Sequence, residues 1–452
     1  MTQIVEEKQF FYKRLITVAL PIIIQHIISI GLNLVDTLMI GLVGENQLAA
    51  VGSANQVFSI FSTICFGLFS GAAVHAAQYW GAKDLPAVRK ILGMDIVLGV
   101  ILSSATFLAS QVFAEQLIGL FADDAEVISL GADYLRVVSF SYIITGVTFA
   151  ITFNSRTVQI LKVPTIINAC ALLTNTALNY TLIYGHFGFA KHGIVGAATA
   201  TLIARILELA ALIAFVYLSK NHPFHGKVKE LLSFDLEMLK RVMKTALPVV
   251  CSEGGWSVGV ALVFAAYGRI GASALAVVQV SNVICQFCQC AFFGLGNAAA
   301  VIVGETLGKG QKEVAYEHGR TVIKMAWVLN VIMVVMILAL RNPIAIIYKF
   351  SDATTEMLLL SLGVFAFTMV PRMLSYVIQC GILRAGGDTV FCMIIELACN
   401  LGIEVILAYV SVMFFHLPLH LAIAVASIGN LIKAITQYMR FRSKKWINIV
   451  IE

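Results

Sequence analysis

Two acidic residues stand where acids are costly. Asp36 lies within Asn33-Leu34-Val35-Asp36-Thr37, deep in a long apolar run, and Glu253 lies within Ser252-Glu253-Gly254-Gly255-Trp256 in another. A charge at the centre of a membrane costs at least about 2.5–3.5 kcal/mol on insertion scales, so one that is kept there usually has a task. A carboxyl group withdrawn from water favours its protonated form. It can take up and release a proton, or hold a monovalent cation where other oxygens surround it. Asn175 and Asn179 lie one helical turn apart on one face. With Thr199 or Thr201 they offer carboxamides and a hydroxyl to Asp36. That set suits proton relay or weak Na⁺ coordination, and a sodium ion would be expected at Asp36 or at Glu253. The competing account is an interhelical hydrogen-bond cluster that only packs helices.

Other polar residues carry less. Gln56, Gln279, Asn282, Gln286 and Gln289 could line a wet substrate cavity or tie helices together. Asp95, Glu208, Glu396 and Glu404 lie nearer helix ends or lack a comparable polar cluster, and are expected to pack. Cys285 and Cys288 form a CxxC spacing, but no second ligand pair follows, so no zinc or redox centre is expected. No Walker A motif, nucleophile elbow or HExxH pattern occurs. The chain is therefore expected to have no catalytic residues and no cofactor beyond a coupling ion.

The elements that must hold these groups are membrane spans. The 452 residues are 59% hydrophobic and only 12% charged, against about 25% charged in soluble proteins. Mean hydropathy is +0.89. Too few charges exist to cover a water-facing surface, so lipid must cover most of it. About twelve apolar runs reach the roughly 20 residues needed to cross a bilayer, near 16–41, 50–79, 91–113, 128–152, 160–184, 193–218, 243–267, 275–305, 319–340, 356–382, 389–414 and 418–440.

With the N-terminus inside, the inner loops collect Lys83, Arg89, Lys90, Arg156, Lys162, Lys220, Lys227, Lys229, Lys240, Lys309, Lys312, Arg384, Arg440 and Lys444 among others. The outer loops hold only Lys191, Arg269, Arg341 and Lys349. This asymmetry predicts that both termini are cytoplasmic. The +6 net charge thus follows topology and does not point to nucleic acid. The nine cysteines are expected to be reduced and buried.

The chain repeats itself. Residues 19–81 align with 246–308 without a gap, at a constant offset of 227. Ala19-Leu20-Pro21 falls on Ala246-Leu247-Pro248, Gly41 and Gly44 on Gly268 and Gly271, Asn55 on Asn282, Phe66-Gly67-Leu68 on Phe293-Gly294-Leu295, and Gly81 on Gly308. The organisation expected is an N-lobe over 1–218, a cytoplasmic linker over 219–242 and a C-lobe over 243–452. Two six-helix halves inserted the same way up imply a pseudo-two-fold axis along the membrane normal, with a substrate path between them. The ionisable groups do not repeat: Asp36 falls on Val263, and Glu253 on His26.

These residues resemble the multidrug and toxic compound extrusion (MATE) transporters over essentially the full length. The resemblance rests on Ala19-Leu20-Pro21, Val35-Asp36-Thr37 with Gly41 and Gly44, Leu48 to Gly52, Leu178-Asn179-Tyr180 through Gly185, Gly193 to Thr201, and above all Gly381-Ile382-Leu383-Arg384-Ala385-Gly386-Gly387-Asp388-Thr389. It implies an all-α, twelve-helix bundle in two lobes, and export of organic cations and amphipathic drugs in exchange for H⁺ or Na⁺. Asp36 matches a proton or cation site of that family, Asn175 and Asn179 match its helix 5 pair, and Glu253 matches a helix 7 cation-site residue.

One departure stands out. Some branches add an acid in helix 10, where this chain reads Pro371-Arg372-Met373-Leu374-Ser375-Tyr376. Arg372 thereby becomes a candidate partner for Glu253. A lipid-linked oligosaccharide flippase of the same superfamily is the alternative function. It would favour many cavity Arg and Lys, and only Arg136, Arg205, Arg372 and Lys433 fall inside helices. A membrane-embedded enzyme or a channel would need a catalytic cluster or a filter-like repeat, and neither is seen. The protein is expected to be a monomer in a bacterial inner membrane, with lipid and small molecules as its partners.

Overall fold

A computed structural model describes residues 2–186, 188, 190–219, 222–348 and 350–451. Lys220 and Lys349, two of the loop charges, lie outside the described residues. The described chain is helical, with no strand among the described residues. Among the described residues, eleven helices are long and apolar enough to cross a membrane: Phe11–Gly41, Glu45–Gly81, Leu85–Val112, Lys162–Tyr184, Gly193–Leu218, Leu236–Gly268, Ser273–Gly308, Lys312–Ile346, Asp352–Gly386, Thr389–Met413 and Leu419–Arg442. A bent pair, Ala125–Val138 and Phe140–Thr157, supplies the twelfth. They are spans 1 to 12 in chain order, the bent pair being span 4.

Local chemistry sets their ends and breaks. Asp84 caps span 3 by accepting from the Ala87 N–H at 3.0 Å, with Pro86 in the first turn, where a missing N–H costs nothing. Gly185 ends span 5 in the left-handed region at φ 77°, which glycine enters freely. Span 4 bends by 49° at Ser139 without a proline. Gln111 donates to the Arg136 carbonyl at 2.7 Å and to Ser139 Oγ at 2.8 Å. A side chain thus takes over acceptors at the break, a recognised cause of kinks. Span 2 has 37 residues, about 55 Å at the α-helical rise, so it outruns a hydrocarbon core about 30 Å thick.

The chain divides into two compact units: Ile24–Ala76 with Lys83–Met243, and Met1–Ile23 with Ala77–Ala82 and Lys244–Glu452. Within the first, Phe61, Phe69, Ile91, Leu135 and Tyr142 are fully buried, and Phe61 stacks on Tyr142 with ring centres 5.5 Å apart. Gly99 and Gly146 face each other so closely that a Cβ on either would meet the other's carbonyl oxygen at 3.0 or 2.8 Å. Small residues allow such backbone approach between spans. The linker packs here too. Arg89 donates to the Pro223 carbonyl at 2.8 Å and pairs with Glu230 at 3.0 Å. Span 7 begins at Leu236, capped by Asp235 accepting from the Met238 N–H at 2.7 Å.

The second unit contains a contact that the repeat makes reciprocal. A Cβ on Gly81 would meet the Glu305 carbonyl, and one on Gly308 would lie 1.9 Å from the Gln78 carbonyl. Gly81 and Gly308 are repeat equivalents, and so are Gln78 and Glu305. The equivalents Ala77 and Gly304 touch directly, 2.8 Å from the Ala77 Cβ to a Cβ built on Gly304. The ends of spans 2 and 8 therefore cross backbone to backbone. Arg14 forms an ion pair with Glu305, which Lys309 also contacts at 2.5 Å. Gln78 ties in the C-terminal segment, donating to the Ala385 and Asn448 carbonyls at 3.1 Å and accepting from the Val450 N–H at 2.8 Å.

Replacing Gly308 by Ala should push these helices apart and destabilise the protein by roughly 1–3 kcal/mol, the usual cost of overpacking. Gly31→Ala, in span 1 where nothing lies within 4 Å of an added Cβ, should be neutral or slightly stabilising. Thermal melting of the two purified variants, followed by size-exclusion chromatography, checks both.

Candidate functional site

In the first unit the structure brings four expected residues together. Asp36 projects from span 1 and is partly exposed. Asn175 and Asn179 project from one face of span 5, and both are buried. Thr201 lies across from them on span 6. Oriented so that both of its ends are satisfied, the Asn175 carboxamide donates to Asp36 Oδ2 at 2.9 Å. Its oxygen then faces the Thr201 hydroxyl and main-chain N–H, both at 3.2 Å. Asn179 brings a second amide to the same carboxyl group.

Thr176, which sequence reasoning missed, donates to Asp36 Oδ1 at 3.2 Å. It sits beside Asn175 in the chain, on the shoulder of the face that the one-turn rule selects, and its hydroxyl was the available signal. Tyr184 donates to the Met39 carbonyl at 2.7 Å and fastens span 5 to span 1 next to the site. The carboxyl group thus receives a hydroxyl and two amides, all neutral. Asn179 Oδ1 is buried without a hydrogen-bond partner, an acceptor left over beside the carboxyl group.

Glu253 meets a different fate. Arg384 NH2 lies 2.7 Å from Glu253 Oε1, so its partner is Arg384 and not Arg372. Arg384 is 2% exposed, and its Nε and NH1 have no partner. Ser252 Oγ accepts from Gln379 Nε2 at 3.3 Å and from Arg384 NH2 at 3.4 Å. Gln437 donates to Gln379, and Ser375 donates to Gln437 at 2.7 Å.

The Leu383–Thr389 motif explains the arrangement. Span 10 loosens into a π-helical turn over Gln379–Leu383, which aims Arg384 inward. A Cβ on Gly386 would lie 1.9 Å from the Trp446 carbonyl, and Gly387 turns the chain at φ +74°. Asp388 then accepts two bonds from Arg440, at 2.7 and 3.1 Å, in the forked geometry that arginine favours.

The remaining acids and amides are placed as follows. Asp95 accepts from Asn154 at 2.7 Å. Glu208 accepts from Asn168 at 2.7 Å and from Arg205 at 2.6 Å. Glu396 pairs with Lys433 at 3.0 Å. Gln56, Gln279 and Gln286 are exposed on their helices. Asn282 lines a pocket inside the second unit together with Arg372, Asn400 and Glu404. No cluster of three or more metal-ligating side chains occurs among the described residues.

Known proteins share this architecture. The MatE family model matches residues 21–181 and 255–410, well over half of the chain. The probable multidrug resistance protein NorM of Thermotoga maritima is 27% identical over 455 residues, covering 98% of this chain and 94% of that protein. The probable multidrug resistance protein YoeA of Bacillus subtilis is 23% identical, covering 86% of this chain and 84% of that protein. Among solved structures, a MATE protein in its bent conformation superposes with a TM-score of 0.88 at 20% identity, over 96% of each chain. An outward-facing multidrug resistance MATE family transporter of the MOP superfamily gives a TM-score of 0.86 at 21% identity, again over 96% of each chain.

The Glu253–Arg384 pair has a direct test. Glu253→Gln leaves a buried guanidinium without its counter-charge and should cost about 3–5 kcal/mol, whereas removing both charges together should recover most of that loss. Melting temperatures of Glu253→Gln, Arg384→Gln and the double variant close the cycle.

Proposed function

This chain belongs to the MatE family, and on that premise we propose that it is a secondary active antiporter exporting organic cations and amphipathic drugs by alternating access. It is a transporter and not an enzyme. Its multidrug resistance relatives support the substrate class. The excess of Lys and Arg in alternate loops supports cytoplasmic termini in a bacterial inner membrane. Two six-span halves, 1–218 and 243–452, joined by the 219–242 linker, would move against each other around the substrate, with the protein acting as a monomer.

The observation that carries the coupling role is the ring of neutral donors around Asp36. Its charge has no cation to balance it in the ring, so binding an ion changes the net charge of the site. Two candidates remain, H⁺ and Na⁺. The hydroxyl and the amides of Thr176, Asn175 and Asn179 turn hydrogens toward the carboxyl group. A hard cation wants a shell of oxygens instead, and the spare oxygen found is that of Asn179. A proton needs only one acceptor, so H⁺ is the ion this arrangement suits. Glu253 is held by Arg384, so a cation there would first have to displace a guanidinium. Its expected part is therefore to hold the second half together.

In proteoliposomes, a proton gradient alone should drive efflux of a fluorescent organic cation, and a sodium gradient alone should not. Asp36→Asn should lower the proton-driven rate to that of protein-free liposomes while the variant still reconstitutes. Undiminished efflux by that variant would sink the assignment, and sodium-driven efflux would replace H⁺ by Na⁺.

A further inference from the structure

The second unit holds a counterpart of the Asp36 site with its charge rearranged. Span 5 carries Asn175, Asn179 and Tyr184, and span 11 carries Asn400, Glu404 and Tyr409 at the same spacing. Ser427 in span 12 follows Glu404 much as Thr201 in span 6 follows Asn179. Val263 in span 7 is the repeat equivalent of Asp36. Val263, Asn400, Glu404 and Ser427 all line one pocket. The acid has moved from the first helix of the half to the fifth.

Several observations mark this pocket as built for a ligand. Span 11 becomes π-helical over Ala398–Glu404, a distortion often found at functional sites, and it carries both Asn400 and Glu404. Gly259 makes room for Asn400, since a Cβ there would lie 1.7 Å from Asn400 Oδ1. That oxygen belongs to a side chain only 3% exposed and has no partner. Arg372 enters the same pocket from span 10, and among the described residues no ion pair joins it to Glu404 or to any other acid. The two opposite charges thus face one space without closing into a contact pair, and charges kept inside spans usually have a task.

The two charges select what can enter. A simple cation at Glu404 would be repelled by Arg372, and a simple anion at Arg372 would be repelled by Glu404. A molecule with both charges answers both groups. The pocket encloses about 70 Å³, room for roughly five waters, which suits an α-amino-acid head group. Trp256, Phe264 and Phe365 line the same space and offer aromatic faces to an apolar body and to an ammonium.

We propose that this pocket binds zwitterions, taking an anionic group at Arg372 and an ammonium group at Glu404 beside Asn400 Oδ1. The proposal deepens the export reading, on which it rests for the purpose of the bound molecule but not for its binding. It is therefore tested at equilibrium, without any gradient, and a failure of transport would not be mistaken for a failure of the site.

The experiment uses the full-length protein in phosphatidylglycerol nanodiscs and labelled phenylalanine as probe. Phenylalanine methyl ester, which is only a cation, and N-acetylphenylalanine, which is only an anion, serve as competitors. Phenylalanine should compete at least about tenfold better than either, since each charge-assisted contact is worth that much. Glu404→Gln should weaken phenylalanine and the ester by about tenfold or more and leave N-acetylphenylalanine unweakened. Arg372→Gln should do the reverse for the two competitors. Opposite responses of the two competitors cannot come from misfolding, so the comparison holds if one variant is partly unstable.

Phosphatidylethanolamine carries the same two charges. If adding it to the nanodiscs displaces phenylalanine from the wild type, the head group of a lipid is the source; if binding is unchanged, a soluble molecule is. Absence of phenylalanine binding, equal competition by all three compounds, or identical losses in both variants would overturn the proposal.

Discussion

Hydrocarbon supplies no hydrogen bonds, so each polar group that enters a span must be answered from within the chain. Several of the buried ionisable groups obey that constraint in pairs. Arg384 is answered by Glu253, Lys433 by Glu396, Arg440 by Asp388 and Glu208 by Arg205. These pairs fix helices in register but cannot easily change state, because breaking one strands a buried charge. Asp95 is fully buried against Asn154 and is sealed from exchange with water. Asp36 differs on both counts. It is partly exposed, and only neutral donors hold it. The groups left out of the pairing are therefore the ones free to bind something that comes and goes.

The repeat explains where such exceptions can arise. Glycines at equivalent positions let spans 2 and 8 cross with backbone in contact, and neither Gly81 nor Gly308 can gain a side chain without displacing the other helix. That crossing constrains shape and not chemistry. The polar positions of spans 5 and 11 are held to the same spacing, Asn175 with Asn179 and Asn400 with Glu404, while their charges have diverged. A duplicated scaffold can thus keep one way of placing polar groups and use it for two kinds of ligand.

The fold was largely legible in the sequence, because span length and loop charge are direct consequences of the bilayer. The twelve runs correspond to eleven single helices and one bent pair. The bend at Ser139 was hidden, since it comes from Gln111 reaching across from span 3 and not from a local breaker. The Asp36 cluster was legible because one-turn spacing puts Asn175 and Asn179 on one face. The partner of Glu253 was not. Arg372 lay in the region where the family resemblance left a gap, while Arg384 sits at the end of a helix that π-helical winding turns inward. Helical periodicity carries no sign of an inserted residue, so the faces beyond it are misjudged. The role of Glu404 was hidden as well: span 11 is π-helical around it, and Tyr267 and Arg372 reach its pocket from spans 7 and 10, far away in the chain.

The charges at the two sites separate two kinds of work. In the second unit Arg372 and Glu404 face one pocket as an equal and opposite couple. Such a couple leaves the net charge of the site at zero, and it rewards a ligand whose own charges are arranged in the opposite sense. In the first unit Asp36 is held only by neutral donors, so its site changes net charge whenever an ion binds or leaves. Only a site of that second kind can draw on an ion gradient, because the free energy of moving an ion enters through the charge it carries. A balanced couple is suited instead to telling molecules apart. The ionisable groups that the repeat fails to match are thus what would let two similar halves carry different parts of one exchange.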